Sequence, residues 1–245
     1  MLNSQFNSFT HIFYCNRKDI IMDTSAIIVC AGNSTRMQGK NKILLPLGDK
    51  LVIGVTMTAF QNSESIKEII IVARQQDIPE IKAEAERIGI TKLASCTEGG
   101  ATRQESVMNG LKCVSKDTKL IAVHDGARPL VKPEHIEKTI KDARVFGGAT
   151  LGVPVKDTIK VVEDGLITDT PPRSSLYITQ TPQVFKKHLY FEGVDFALEH
   201  GLDFTDDCQL VEAVGGKICM TVGDYTNIKI TTPEDIRLAE VMTEV

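Results

Sequence analysis

Residues 31–37 form a small, hydroxyl-rich and basic segment, Ala-Gly-Asn-Ser-Thr-Arg-Met, and Lys42 follows shortly after it. A loop of this composition offers several backbone N–H groups to an anion, while Arg36 and Lys42 add positive charge. This chemistry suits the triphosphate of a nucleotide. The segment has neither the P-loop pattern nor the glycine pattern of dinucleotide-binding loops, so a surface turn with two solvated basic residues remains the alternative interpretation.

The segment follows an apolar, β-branched run that is typical of a buried parallel strand. Further along the chain, strand-like runs alternate with runs of helical periodicity. We predict strands at 26–30, 66–73, 92–96, 120–123, 149–155 and 218–222. We predict helices at 52–60, 78–88, 102–114, 133–146, 188–200 and from 233 onward. This alternation predicts an α/β fold, a mostly parallel twisted sheet with helices on both faces, in which ligands bind where the strands end.

The alternation breaks at residues 156–176. Two strand-like runs, 158–163 and 166–168, flank Asp164-Gly165, which is a strong hairpin signal. Because an isolated two-stranded hairpin is marginally stable in water, we expect a protruding arm that pairs with a second subunit. Folding of the hairpin onto its own domain is the alternative.

Glycine and hydroxyl residues follow the predicted strand at 92–96. Gly99 and Gly100 precede a predicted helix start, and Ser106 lies within its first turns. This arrangement fits a second concavity rich in N–H groups. An ordinary glycine turn capped by Thr102 explains it equally well.

The segment His124-Asp125-Gly126-Ala127-Arg128-Pro129 directly follows the predicted strand at 120–123. A carboxylate at a strand end is well placed to hold Mg²⁺, which often takes one or two carboxylates and completes its shell with substrate phosphates. Arg128 suits a second anion, although an Asp125–Arg128 ion pair that stabilises the loop is the alternative. We interpret His124 as a structural residue rather than a general base. Lys229 also follows a strand and precedes a helix start, but this pattern alone establishes no role for it.

The composition fits one globular domain. The chain has 245 residues, of which 42% are hydrophobic and 24% charged, with a net charge of -4. The slight acidity argues against nucleic acid as the main partner, and no apolar run approaches the ~20 residues that span a bilayer. The six scattered cysteines contain no Cys-x-x-Cys pair and predict reduced thiols in a cytoplasmic protein.

The first residues differ from the rest of the sequence. Residues 1–21 show no clear periodicity and lack the basic start and long apolar stretch of a signal peptide. We predict that Met22 is the natural start, and that residues 1–23 form a disordered or non-native extension before a domain at 24–245. N-terminal mass spectrometry of the native protein would test this prediction.

The sequence shows no Ser-His-Asp order, paired acid motif or metal-ligand cluster. This favours phosphoryl or nucleotidyl transfer, which relies on positioning and charge neutralisation more than on a covalent nucleophile.

Six motifs in order resemble one family, the 2-C-methyl-D-erythritol 4-phosphate cytidylyltransferases of non-mevalonate isoprenoid synthesis, from about residue 24 to the C-terminus. The motifs are Ala-Gly-x-x-x-Arg-Met (31–37), Gly-Gly-x-x-Arg-x-x-Ser (99–106), His-Asp-Gly-Ala-Arg-Pro (124–129), Val-Pro-Val-Lys-Asp-Thr-Ile-Lys (153–160), Gln-Thr-Pro-Gln-Val-Phe (180–185) and Asn-Ile-Lys-Ile-Thr (227–231). The resemblance implies a Rossmann-like nucleotidyltransferase fold and a homodimer formed through the hairpin arm. It also implies a reaction in which methylerythritol phosphate attacks the α-phosphorus of CTP and pyrophosphate leaves.

The resemblance also implies roles for individual residues. Arg36 and Lys42 would neutralise charge on the α- and β-phosphates, and Asp125 would serve Mg²⁺. The nucleotide would be held by Ala31, Gly32, Asn33, Ser34, Gly99, Gly100 and Ser106. The sugar-alcohol phosphate would be bound by Asp125, Arg128, Thr158, Arg173 and Lys229, of which Thr158 and Arg173 flank the arm and would act in the partner's site.

Three questions stay open at the level of sequence. Lys40 competes with Lys42 for the catalytic role, because loop length easily shifts the spacing from Arg36. A sister enzyme that transfers CMP to ribitol 5-phosphate for teichoic acid synthesis is the alternative activity. A nucleotide-binding regulatory protein with a degenerate site is a third possibility, against which the presence of Arg36, Lys42, Asp125 and Lys229 argues.

Overall fold

The computed structural model describes residues 21–32 and 41–243. Within them, seven strands form one central sheet. In chain order these strands are β1 (Thr24–Val29), β4 (Ile66–Ala73), β5 (Leu93–Glu98), β6 (Leu120–Asp125), β7 (Gly148–Pro154), β10 (Tyr177–Lys186) and β11 (Ile218–Val222). Their spatial order is β11-β7-β10-β6-β1-β4-β5. Strand β10 runs antiparallel to both neighbours and the other pairs are parallel, so the sheet is mostly parallel, as predicted.

Helices cover both faces of this sheet. They are α1 (Val52–Gln61), α2 (Ile78–Arg87), α3 (Arg103–Leu111), α4 (Pro133–Phe146), α5 (Lys187–Glu199), α6 (Asp207–Ala213) and α7 (Pro233–Thr243). Neighbouring residues of β1 point into different cores, because side chains alternate along a strand. Ile28 packs in the core that includes residues of α1, α2 and α4, and Ile27 packs in the core that includes residues of α3, α5 and α6. The prediction of an α/β fold with two covered faces is confirmed.

Two short hairpins lie outside the central sheet. One joins β2 (Pro46–Leu47) to β3 (Lys50–Leu51), and the other joins β8 (Val161–Glu163) to β9 (Leu166–Asp169). The second is the predicted arm hairpin, and its turn residue Asp164 has a φ of 51°. Leu166 and Ile167 on this hairpin are 72% and 64% exposed, so two neighbouring large apolar side chains face solvent.

The sequence patterns missed β10 and α6. Pro182 lies inside β10, and proline within a run argues against a strand because it cannot donate to the ladder. The structure accommodates it with a register shift between Thr179 and Gln183, at a cis Thr181–Pro182 bond. At seven residues, α6 has too few turns for a clear period, and Asp206 caps it by accepting a hydrogen bond from the Cys208 N–H at 2.7 Å.

The segment before β1 is attached to the domain. The Asp23 carbonyl accepts a hydrogen bond from the Lys119 N–H at 2.9 Å, and the Asp23 carboxylate pairs with the Arg144 guanidinium at 2.6 Å. The predicted extension is otherwise mostly outside the described residues. None of the helices in the described ranges is long and apolar enough to cross a membrane.

A buried carboxylate ties together the amino-terminal ends of three strands. Glu68 on β4 accepts hydrogen bonds from the Ser25 and Ser115 hydroxyls, and from the Ser115 N–H at 2.9 Å. The Ser25 and Thr118 hydroxyls are 2.6 Å apart. Burial favours a higher pKa for Glu68, but the hydrogen bonds from Ser115 and Ser25 outweigh it, and the net shift of the pKa is downward.

We expect Glu68→Gln to lower the free energy of unfolding near pH 7 by about 2 kcal/mol, since hydrogen bonds to a charged group are stronger than neutral ones. Because the folded pKa is depressed, this stabilisation is present above the unfolded pKa and is lost as pH falls through the folded pKa. The gap between wild type and variant should therefore narrow toward pH 4. Urea unfolding at several pH values measures it, with the exposed Glu64→Gln as the matched control; a gap that is constant with pH would contradict the prediction.

Candidate active site

A cavity of about 610 Å³ opens at the carboxyl ends of β1, β5 and β6. Loops after different strands contribute to its wall, as expected for a parallel sheet. Seven of the residues singled out from the sequence line it: Ala31, Gly32, Lys42, Gly100, Ser106, Asp125 and Lys229. The cavity thus brings together residues from both halves of the chain.

The loop before α3 and the first turns of α3 form one wall of the cavity. Backbone N–H groups that the sequence suggested for binding an anion donate instead to side chains of this helix. The Gly100 N–H donates to Ser106 Oγ at 3.0 Å, and the Ala101 N–H donates to Glu105 Oε2 at 2.7 Å. The Glu105 N–H donates to the Thr102 hydroxyl at 3.1 Å. The turn is therefore the capped glycine turn of the alternative interpretation, and it also lines the cavity, with the Gly100 and Ala101 N–H groups bonded within the turn itself.

Gly99 lies next to the end of β1. A Cβ atom at this position would collide with the Ala31 side chain and come within 3.0 Å of Ser106 Oγ. Glycine here lets the two strand-end loops approach each other closely. Gly99 therefore shapes the cavity, although the residues that line it begin at Gly100 on this loop.

Lys42 begins a short 3-10 helix, Lys42–Leu44, whose position is set by neighbouring side chains. Asn41 caps this helix and donates a hydrogen bond to Asp77 Oδ2 at 2.6 Å. Arg74 Nε also donates to Asp77 Oδ2, at 2.7 Å. Polar contacts at the end of β4 thus fix the backbone from which Lys42 extends into the cavity.

Asp125 is the centre of a cluster of charges at the end of β6. Its Oδ2 atom lies 2.9 Å from Lys229 Nζ and 3.5 Å from Arg128 Nε. Burial alone would raise the pKa of this carboxyl group, but Lys229, Arg103 and Arg128 together hold it well below its usual range. These cations therefore favour the ionised form of Asp125, and the predicted Asp125–Arg128 pair is present.

Arg103, a cavity residue to which sequence reasoning gave no role, is anchored from behind. Its guanidinium pairs with Asp207 at the start of α6, and only 2% of the Asp207 side chain is exposed. The Tyr190 hydroxyl donates to Asp207 Oδ1 at 2.6 Å, and the Asp207 N–H donates to Gln183 Oε1 at 3.1 Å. The spacing Gly-Gly-x-x-Arg-x-x-Ser was the available signal for Arg103, whereas Asp207 lies 104 positions away and has no local signature.

Other predicted residues lie elsewhere. Arg128 is behind Asp125, where its Nη1 donates to the Asn227 carbonyl at 2.9 Å. Thr158 and Arg173 are exposed near the arm hairpin, and Arg173 donates to the Lys156 carbonyl at 2.6 Å. Neither of them lines the cavity of its own chain. Arg36, Asn33 and Ser34, as well as the rival Lys40, lie outside the described residues.

The cavity could hold a hard divalent cation that takes one oxygen ligand from the protein and its other ligands from phosphates and water. Within residues 21–32 and 41–243, no group of three or more His, Cys, Asp or Glu side chains could hold a metal. Asp125 is an ionised carboxylate on the cavity wall, and it could supply one oxygen while phosphates and water supply the rest.

Comparison with known proteins gives a consistent answer. The family model described as 2-C-methyl-D-erythritol 4-phosphate cytidylyltransferase matches residues 24–244. A protein of that name from Caldanaerobacter subterraneus is 47% identical over 223 residues, which cover 90% of this chain and 98% of the relative. Another from Syntrophotalea carbinolica is 41% identical, with 91% and 97% covered.

Solved structures agree with these relatives. The structure of 4-diphosphocytidyl-2C-methyl-D-erythritol synthase from Anaerococcus prevotii superposes with a TM-score of 0.81 at 33% identity, and the match covers 91% of this chain and 96% of that one. The 2-C-methyl-D-erythritol 4-phosphate cytidylyltransferase from Thermus thermophilus gives 0.75 at 32% identity, with 91% and 100% covered. On the strength of the family match and these relatives, this chain belongs to the 2-C-methyl-D-erythritol 4-phosphate cytidylyltransferase family.

Proposed function

We propose that the cavity transfers CMP from CTP to 2-C-methyl-D-erythritol 4-phosphate, with release of pyrophosphate. This proposal rests on one observation: three cationic side chains and one carboxylate line the same cavity. They are Lys42, Arg103, Lys229 and Asp125. Polyanionic substrates need such cations, and a lone ionised carboxylate suits a phosphate-bound metal.

The reaction joins two phosphate groups. An oxygen of the methylerythritol phosphate forms a bond to the α-phosphorus of CTP, while the bond from that phosphorus to the bridging oxygen of the pyrophosphate breaks. Because the nucleophile is already an anion, the step needs neutralisation of charge rather than a general base. His124 is consistent with this scheme, since its ring is fully buried and does not line the cavity, and its burial lowers its pKa to about 4, which makes it a weak base.

We assign Lys42 and Arg36 to the charge that develops on the α- and β-phosphates. The nucleotide side of the cavity then consists of the strand-end loops that carry Ala31, Gly32, Asn33, Ser34, Gly99, Gly100 and Ser106. We assign the acceptor to Asp125 and Lys229 on the cavity wall, to Arg128 behind Asp125, and to Thr158 and Arg173 supplied by the arm of a second subunit.

We further propose that Mg²⁺ or another divalent cation binds with the nucleotide. Asp125 would hold it, and when bound it would withdraw charge from the phosphate oxygens. Lys229 Nζ and Arg128 Nε both lie beside the same oxygen of Asp125, Oδ2, at 2.9 and 3.5 Å.

The dimer is part of this proposal. The arm hairpin exposes Leu166 and Ile167, and Thr158 and Arg173 stand beside it without lining the cavity of their own chain. A second copy that covers these apolar side chains would explain both observations. We also assign the protein to the cytoplasm, since the five described cysteines are free thiols.

Pyrophosphate release tests the proposed function. The protein is mixed with CTP and Mg²⁺ and given methylerythritol 4-phosphate in one reaction and ribitol 5-phosphate in another. We expect release with the first acceptor and none above background with the second. If pyrophosphate is released only with ribitol 5-phosphate, that compound is the acceptor and the proposed acceptor is wrong. If CTP binds but neither acceptor gives release, the result favours a regulatory protein with a degenerate site.

A further inference from the structure

The loop between Asp125 and Arg128 is held by a hydrogen bond at almost every backbone group. The Asp125 N–H donates to the Thr181 hydroxyl at 3.1 Å, and the Gly126 carbonyl accepts from the Thr56 hydroxyl at 3.0 Å. The Ala127 carbonyl accepts from the Ile230 N–H at 2.8 Å. A loop bound in this way has little conformational freedom, so the backbone positions from which the Asp125 and Arg128 side chains extend are fixed.

The His124 side chain connects the end of this loop to Thr181 on β10. Its Nε2 atom lies 3.1 Å from the Arg128 carbonyl, and its Nδ1 atom lies 3.0 Å from the Thr181 hydroxyl. A carbonyl oxygen only accepts, so Nε2 carries the proton. The Thr181 hydroxyl accepts from the Asp125 N–H and therefore has its own proton to give to Nδ1.

The surroundings of the ring permit only small movements. His124 is fully buried, and its ring centroid lies 4.9 Å from that of Phe60 on α1. Asn227, also fully buried, donates from Nδ2 to the Thr181 carbonyl at 3.1 Å and accepts from Arg128 Nη1 at its own carbonyl. The imidazole is thus the spacer between β10 and the far end of the loop.

We propose that His124 is a positioning residue for the acceptor side of the site: as the Nε2–H tautomer it fixes the separation between Thr181 and Arg128, and so aligns Asp125, with Arg128 behind it, toward the sugar-alcohol phosphate. The ring does not touch the substrate in this arrangement. The proposal rests on the proposed function for its kinetic consequence, whereas the tautomer is a property of the protein alone.

Two conservative variants separate the two hydrogen bonds. In His124→Asn, the amide oxygen replaces Nδ1 as the hydrogen-bond acceptor, but the side chain cannot reach the Arg128 carbonyl. In His124→Gln, the amide N–H replaces Nε2 as the donor to the Arg128 carbonyl, but the hydrogen bond to Thr181 is lost. Phe keeps the packing against Phe60 and removes both bonds. Because a displacement on the order of 1 Å costs about 10²-fold, we expect His124→Phe to lose about 10²-fold in kcat/KM for methylerythritol phosphate, with smaller losses for His124→Asn and His124→Gln.

The decisive kinetic readout is the contrast between the two substrates. For each folded variant, the KM for methylerythritol phosphate should rise at least several times more than the KM for CTP. Ser25→Ala is the matched control, because it also removes buried hydrogen bonds on the same sheet but at the opposite, amino-terminal end. It should lower the melting temperature without changing either KM. Equal shifts of both KM values, or no shift in any folded His124 variant, would overturn the proposal.

A spectroscopic measurement tests the tautomer without activity or mutation. Long-range ¹H–¹⁵N NMR of the wild-type protein distinguishes the two imidazole tautomers, and the His124 signals are those missing from His124→Asn or His124→Gln. We expect a neutral ring with its proton on Nε2. A proton on Nδ1 would overturn the proposal whether or not the wild type releases pyrophosphate, whereas an inactive wild type with the expected tautomer would count against the proposed function only.

Discussion

A Lys42→Met variant will lose kcat by about 10²–10³-fold, comparable to the removal of one donor that stabilises charge in a transition state. Lys42 lines the cavity, and its backbone is held in place by the Asn41 cap and its contact with Asp77. Methionine keeps most of the side-chain length and removes only the charge. The loss should therefore fall on the chemical step, where negative charge builds on the phosphates.

Pre-steady-state measurement of pyrophosphate release would separate this loss from a loss of CTP binding. Lys40→Met is the matched control, since Lys40 is the rival lysine in the same basic segment. It should keep kcat within a few-fold of wild type. A large loss in Lys40→Met together with a nearly normal Lys42→Met would transfer the catalytic role to Lys40.

An Asp125→Asn variant will lose on the order of 10²–10³ in kcat, because the divalent cation that would neutralise charge on the phosphates loses its anionic protein ligand. Asparagine preserves the size of the side chain but leaves Lys229 and Arg128 facing each other without the carboxylate that both contact. It also removes the negative charge from the one side chain that we assign to the divalent cation and leaves only a neutral amide oxygen as a ligand. Two effects are therefore expected together: lower activity and a requirement for more Mg²⁺.

A Mg²⁺ titration of the initial rate measures the second effect, and we expect the half-saturating concentration to rise about tenfold or more. Asp117→Asn is a suitable control, since Asp117 is exposed and pairs with Lys67 at 2.6 Å, away from the cavity. An unchanged Mg²⁺ dependence in Asp125→Asn would show that the carboxylate holds the cationic side chains and not the metal. Urea unfolding of the variant would exclude general loss of structure.

The strand-end rule of parallel sheets was enough to predict much of the site. Ala31, Gly100 and Asp125 each follow a different strand, and the topology alone requires that they meet at one edge. Their neighbours along the chain contain the signals that locate the strands: apolar, β-branched runs that end abruptly in polar residues. Such local signals are strong because they arise from burial on both faces of the sheet.

The supporting contacts could not be predicted in this way. The partner of Arg103 is Asp207, which belongs to a helix too short to show a period and lies far away in the sequence. Strand β10 was hidden by Pro182, and Thr181 on that strand proved to be the hydroxyl that holds the Asp125 N–H. Contacts of this kind depend on tertiary geometry, and composition and periodicity carry no information about them.

The residues assigned to the two substrates are separated along the chain. Residues assigned to the nucleotide precede β6, residues assigned to the acceptor lie at its end or after it, and Asp125 at the end of β6 is assigned to both the acceptor and the divalent cation. From these proposed assignments, we expect substitutions in different parts of the chain to affect the two substrates separately. We expect substitutions among the acceptor residues after residue 125 to change which polyol phosphate is accepted with little effect on CTP binding, as long as Asp207, which holds the cavity residue Arg103, is kept. Acceptor switching, by natural divergence or in a designed chimera, should be sought on the C-terminal side of that boundary.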